Sequence, residues 1–382
     1  MNRSYRILPV YSGDVSGACS ALFELGGMVV IHDPSGCNST YNTHDETRWY
    51  DSDSLIFITG LTDTDAILGN DDRLVRDVCR AAEELRPRFI ALCNSPVPFI
   101  TGTDFPALCR LIEGRSGIPC FYVPTNGMHD YTVGAGAALR RYAERFVTPA
   151  EKRAGTINIL GLTPLDFGIK ASPEPMRAFA GRAGYSVIAC WTMGDGPSAL
   201  SRAAEASVNL VVSASGLPTA EYLYERFGTP YAAGIPIGGF ADTLAYALHE
   251  AERTGKRLFP CRDARAVSDG SWAVVGEPVT MGSLAAAVEA ECGRSVRLVC
   301  PLETPGTLLS GSDRAADGEE ETEAALRDAA VVIADPFYGP ILPAGAELIP
   351  LPHQAYSGRN GWRDAVELTS IDIGALTEHR YG

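Results

Sequence analysis

Short apolar runs alternate with helix-like stretches along all 382 residues, and no other feature restricts the fold as much. A run of roughly four to six apolar residues suits a buried strand, and a longer stretch with apolar residues three and four apart suits a helix packed on it. In the first third, Met28–His32, Leu55–Thr59, Phe89–Cys93 and Pro119–Val123 read as strands. Asn70–Glu84, Phe105–Arg115 and Gly134–Phe146 read as helices between and after them. The second series has strands at Ile157–Leu160, Ser186–Ala189, Leu210–Ser213 and Tyr231–Ala232. Its helices fall at Glu174–Arg182, Ala199–Ala204, Ala220–Phe227 and Phe240–Thr254. A third series begins at Trp272–Gly276, with strands at Val296–Val299, Val331–Ala334 and Leu348–Pro350. Parallel strands need helical crossovers, so the alternation predicts an α/β protein of three Rossmann-like domains, each a parallel sheet flanked by helices. The polar joint Val147–Ala154 contains Pro149 and marks a boundary. The expected domains are 1–150, 151–268 and 269–382.

Composition removes several functions. The formal charge is −15, with acidic residues spread along the chain and no Lys/Arg patch that tracks phosphates, which argues against a nucleic-acid partner. No stretch reaches the roughly 18 uncharged apolar residues of a membrane helix, and the N-terminus lacks the apolar core of a signal peptide. A cytoplasmic protein with no membrane partner is expected. Neither a G-x-G-x-x-G fingerprint nor a G-x-x-x-x-G-K-[ST] loop is present, so no dinucleotide or ATP is expected on this chain. Ser215-Gly216 lacks the G-x-S-x-G elbow of a hydrolase. The acidic run Asp317–Glu323 reads as a solvated surface loop.

The cysteines carry the sharper signal. There are ten, none in a C-x-x-C pair, and in a reducing compartment most serve as small buried hydrophobes. Cys37 stands out because it follows the strand Met28–His32 in the loop His32-Asp-Pro-Ser-Gly-Cys37, on the side where open α/β units bind ligands. Gly36 lets the backbone come close to whatever the sulfur holds. Cys19 lies 18 residues earlier in a segment that reads as the opening of a helix, Ala18–Leu25, where the helix N-terminus would favour a thiolate. Spacing alone leaves two readings open, a pair of metal ligands or two unrelated buried thiols.

His32-Asp-Pro-Ser-Gly-Cys37 resembles the His-Gly-Pro-x-Gly-Cys signature of the nitrogenase component 1-type proteins. That family includes nitrogenase, the dark-operative protochlorophyllide and chlorophyllide reductases, and the reductive cyclase of the nickel tetrapyrrole pathway. Gly17-Ala-Cys19 with Ala21 resembles its first cluster-cysteine segment, and Ser95-Pro-Val-Pro-Phe-Ile100 its third. Asp63–Gly69 sits where the family has a Glu-x-x-x-Val-Phe-Gly-Gly element, while Ile157–Gly161 and Tyr222–Pro230 resemble its second domain. The resemblance implies that Cys19 and Cys37 ligate an iron–sulfur cluster. Two cysteines per chain are too few for a 4Fe-4S cluster, so a homodimer or paralogous heterodimer would share it, each subunit giving two. Ser95 occupies the third-cysteine position, and Ser95 or Cys93 as a third ligand would allow a larger cluster.

Electrons would then come from a separate ATP-dependent iron protein and pass to an unidentified small-molecule substrate, tetrapyrrole-type by family. The cysteine that anchors the catalytic metal centre of nitrogenase is replaced by Ser213, which argues against dinitrogen reduction. A non-catalytic scaffold for metal-cofactor assembly is the alternative. His353, after the last strand, and His129, in Tyr122–His129, are the candidate catalytic groups, with Asp130 beside the latter. His32 reads as a partner of the cluster loop rather than a ligand. The polar group His44, Asp45, Glu46 and Arg48 reads as a surface for a partner or substrate.

Overall fold

The computed structural model describes residues 4–34, 46–50, 52–168, 172–361 and 366–378. Among these residues fourteen strands form three sheets, and every strand pair in them is parallel. The first sheet contains β1 (Met28–His32), β2 (Leu55–Ile58), β3 (Ile90–Asn94) and β4 (Cys120–Val123), in the order β2-β1-β3-β4. The second contains β5 (Arg153–Leu160), β6 (Ser186–Cys190), β7 (Ala206–Val211), β8 (Tyr231–Ala233) and β9 (Arg257–Leu258), in the order β6-β5-β7-β8-β9. The third contains β10 (Trp272–Val275), β11 (Arg297–Cys300), β12 (Arg314–Ala315), β13 (Val331–Ala334) and β14 (Glu347–Pro350), in the order β12-β11-β10-β13-β14. The α/β class and the three helix-flanked parallel sheets stand as expected. By its contacts the chain divides into two compact units, residues 12–146 and residues 1–11 with 147–382.

In the first unit, Met28, Val30, Ile90 and Leu92 turn one face of the sheet toward Leu74, Val75 and Val78 of the helix Asp71–Leu85 and Leu108 and Ile112 of the helix Phe105–Ser116. Alternation sends Val29, Ile31, Ala91 and Cys93 to the opposite face. There the helix Asp14–Leu22 lies against the helix Tyr131–Phe146 with their backbones nearly touching. A Cβ on Gly17 would stand 2.0 Å from the carbonyl oxygen of Tyr131, and one on Gly134 would stand 1.8 Å from that of Asp14. Only glycine fits at either position.

Several elements differ from expectation for physical reasons. The Cys19 helix starts at Asp14, not Ala18, because Asp14 is fixed by distant backbone donors described below. The acidic run is a helix, Gly318–Ala325, not a solvated loop. Its Glu319 is buried and accepts from the backbone N–H groups of Arg6 (2.5 Å) and Ile7 (3.0 Å), while Glu323 also pairs with Arg6. The helix expected at Ala199–Ala204 is one turn, Pro197–Leu200, followed by a 3-10 turn, Ala203–Glu205. The helix Pro278–Cys292 is buried from Pro278 through Val288 and therefore shows no amphipathic stripe. No helix among the described residues is long and apolar enough to cross a membrane.

Candidate functional site

The order β2-β1-β3-β4 puts the switch point of the first sheet between β1 and β3, where an open α/β sheet leaves a crevice at its carboxyl edge. Side chains lace that edge together. His32 Nδ1 meets the Thr59 hydroxyl at 2.8 Å, joining the ends of β1 and β2. The Ser95 hydroxyl donates to the His32 carbonyl at 2.8 Å, closing β1 against β3. Thr125 Oγ1 accepts from Asn94 N–H (2.9 Å) and donates to Asn94 O (2.7 Å), joining β3 to the loop after β4. That loop in turn donates Asn126 N–H (2.7 Å) and Gly127 N–H (2.9 Å) to the two carboxylate oxygens of Asp14. Asp14 opens the helix that carries Cys19. Burial raises the Asp14 pKa even though these N–H groups favour its charged form.

Cys19 is therefore held rigidly over the switch point. It lies in the sixth position of its helix, fully buried, so the expected help from a helix N-terminus is absent. Burial raises its thiol pKa well above the usual value, and hydrogen bonding with the Cys93 thiol raises it further. Cys93, on β3, is equally buried. Cys37 and Gly36, with His44 and Asp45, lie outside the described residues.

Glu46 and Arg48 follow that segment, and they do not form an open docking surface. Arg48 donates to Glu46 (2.8 Å), Glu24 (2.9 Å) and the Ser20 carbonyl (2.7 Å), and its guanidinium lies 4.7 Å above the Phe23 ring. Burial alone would raise the Glu46 pKa, but the charge and hydrogen bonds of Arg48 outweigh it and hold the carboxyl below its usual range. The pair clamps the chain after the cysteine loop onto the Cys19 helix. His129 also serves this helix, since its carbonyl accepts Asp14 N–H at 2.9 Å while its ring is only half-buried. Asp130 accepts from Thr132 N–H at 2.7 Å. His32 is held neutral by burial, with its pKa lowered to about 4.

The other compact unit has a polar cluster of its own, at the switch points of its two sheets. Ser213 follows β7 and donates to the Gly161 carbonyl after β5, at 2.7 Å. Glu277 follows β10, and its fully buried carboxylate accepts from Ala214 N–H (2.7 Å), Val279 N–H (3.0 Å) and Thr280 N–H (2.7 Å). Burial, then the charge of Asp166, raises its pKa to about 7. Asp335, after β13, accepts His353 N–H at 2.8 Å. His353 Nδ1 accepts Ala355 N–H at 3.2 Å, which leaves the hydrogen of the neutral ring on Nε2. Nε2 finds no partner among the described residues, and burial lowers the ring's pKa to about 3. The ring is thus a neutral N–H donor beside a cavity of about 10 Å³ that Asp166, Met281 and Leu368 also line. Glu277 and Asp166 were missed in the sequence. The one local hint was Glu277-Pro278 at a strand end, a helix-entry pattern rather than a site signal.

The family model for nitrogenase component 1 type oxidoreductases matches residues 14–251. The chain belongs to this family. It is 26% identical over 221 residues to the nitrogenase iron-molybdenum cofactor biosynthesis protein NifE of Methanosarcina barkeri, covering 53% of this chain and 46% of that protein. It is 22% identical over 294 residues to the corresponding NifN of a Nostoc strain (70% and 65%). To one of the subunits of the light-independent protochlorophyllide reductase of Chlorobium luteolum it is 25% identical over 222 residues (56% and 41%). The chain spans about half the length of most of the curated relatives it matches. A solved structure described as nitrogenase Cp1 at pH 6.5 shares the fold, with a TM-score of 0.70 at 15% identity, covering 100% of this chain and 93% of that one.

The donor chemistry at the first switch point suits an iron–sulfur group of the kind this family uses. Such groups take soft thiolates, and Cys19 and Cys93 are two free thiols in contact. The raised pKa of Cys19 belongs to a metal-free thiol, since a bound cation would itself drive off the proton. No three described His, Cys, Asp or Glu side chains are grouped to hold a metal ion, so a full ligand set needs donors from beyond them.

Proposed function

We propose that this chain is a nitrogenase-like reductase subunit that holds an iron–sulfur cluster at an interface with a second subunit, identical or paralogous. The reading rests on the free, buried Cys19 thiol on the helix packed against the first sheet, in a chain of this family. Cys19 and Cys37 are the ligands proposed from each subunit, with Gly36 beside the second, and four thiolates hold one 4Fe-4S cluster. The bound cluster would supply one-electron transfer. An external ATP-dependent iron protein is the proposed donor, with a cytoplasmic setting.

The protein's own part is to fix the ligands and keep water away. The laced strand ends and the Arg48–Glu46 clamp do this around Cys19. In the second unit, which we divide into domains at 151–268 and 269–382, His353 stays the catalytic candidate toward a small-molecule substrate, tetrapyrrole-type in our reading. The cavity of about 10 Å³ beside its ring has room for about one water, so the substrate itself binds elsewhere. His129 is the second catalytic candidate of this reading, with its ring half-buried.

Anaerobic protein should contain iron and acid-labile sulfide, and the iron protein with ATP should reduce it and drive substrate turnover. Efficient reduction by NADPH alone would overturn the electron route. A second reading, a scaffold on which a metal cofactor is assembled, is favoured by the cofactor-biosynthesis names of NifE and NifN. Transfer of a metal cofactor to a recipient apoprotein, without substrate turnover, would select it.

A further inference from the structure

The helix Asp71–Leu85 roofs β1 and β3 but leaves the edge strand β2 only partly covered. Phe57 pairs with Val30 and shares its face of the sheet, yet it is 40% exposed. Between β2 and the helix lies a chamber of about 190 Å³, walled by Met28, Val30, Phe57, Leu74, Val78 and Ala81. An apolar cavity of roughly 150 Å³ is enough to hold one aromatic ring. His32 closes one end of the chamber. It lies two residues after Val30, hence on the same face, and its ring stands edge-on to Phe105. The residue is only 8% exposed; Nδ1 meets the Thr59 hydroxyl, and Nε2 has no partner among the described residues.

A second cavity, of about 370 Å³, adjoins the chamber, with His32, Leu61, Asp65 and Asn70 common to both. Its charged lining is Asp65, Asp71 and Asp104, and no described Lys or Arg lines it. Arg73 answers Asp65. Asp71 and Asp104 stand at the starts of helices, whose N-termini offset only about half a unit charge each. Burial, then the charges of Asp72 and Asp104, raise the Asp71 pKa, as for a carboxyl without a cation beside it.

We propose that the two cavities form one binding site for a small molecule that joins an uncharged apolar ring to an ammonium group. The ring fills the chamber, and the ammonium lies in the acidic cavity with Asp71 and Asp104. With Nδ1–H given to Thr59, His32 Nε2 is left to accept one ammonium hydrogen. The site lies on the face of the sheet away from Cys19, so it does not depend on the cluster.

The test is isothermal titration calorimetry of the full chain near neutral pH with phenethylamine, phenethyl alcohol and phenylpropanoate, beside a thermal melt. The amine should bind saturably at millimolar concentration and the alcohol about tenfold more weakly, as befits loss of one charged hydrogen bond. The carboxylate should not bind. Ala81→Leu fills the chamber and should abolish binding of the amine. Asp71→Asn should bring the amine down to the affinity of the alcohol and leave the alcohol unaltered. Asp71 is exposed, so this variant decides the matter even where Ala81→Leu disturbs the melt. No saturable binding of the amine, or equal affinity for all three compounds, would overturn the inference. So would full amine affinity in Asp71→Asn or in a normally melting Ala81→Leu.

Discussion

At the scale of single residues, environment decides which protonation state each candidate offers. His353 was expected as a catalytic group, and its surroundings restrict how it acts. With its pKa lowered to about 3, it is no imidazolium acid near neutrality but a fixed N–H donor. The same shift has a consequence for stability. Between about pH 6.5 and 3 the unfolded chain takes up the proton and the folded chain does not, so the fold weakens as pH falls through that window. His32, lowered to about 4, adds a loss of the same sign. Glu277, raised to about 7, works oppositely, because the folded state keeps the proton that the unfolded state releases above about pH 4.5. Urea midpoints at several pH values between about 7.5 and 5 test this. The His353→Gln variant should lose less stability on acidification than the unaltered protein, and an identical slope would contradict the assignment.

At the scale of elements, the Cys19 helix depends on two contacts that tolerate no change. Gly134→Ala would drive a methyl group into the Asp14 carbonyl, so the two helices must separate. Overpacking of this kind costs about 1–3 kcal/mol or more, and it should also lower iron retention by displacing Cys19. Thermal melting and iron content together check this, and an unaltered variant would refute the close approach. Arg48→Ala strands the buried Glu46, at a cost of about 3–5 kcal/mol. Its stability should therefore fall together with reduction by any donor, dithionite included. A selective loss of reduction by the iron protein, at full stability, would restore Arg48 as a docking residue.

These contacts explain what could be read in the sequence and what could not. Apolar runs located β1 and β13 to the residue, because strands buried on both faces need uninterrupted hydrophobicity. The two-residue strands β9 and β12 are too short to leave such a run. The start of the Cys19 helix at Asp14 is set by N–H groups more than a hundred residues away. Glu277 and Asp166 become one cluster only when β10 and the loops after β5 and β7 are folded together, and no local pattern announces that.

At the scale of the whole molecule, the strand orders place each switch point between non-consecutive strands, and each is filled by polar side chains rather than a glycine-rich nucleotide loop. The same pattern places chemistry-bearing residues at strand ends within each series of the sequence. The cluster itself is the claim on which the functional account depends. Metal–thiolate bonds across an interface would link assembly to metal content, so removing iron should weaken the pairing of chains. The most direct measurement is native mass spectrometry of the anaerobically purified protein. The account predicts that iron and sulfide travel with a species of two chains and are lost when it separates into single chains. A single chain carrying a complete cluster would contradict it.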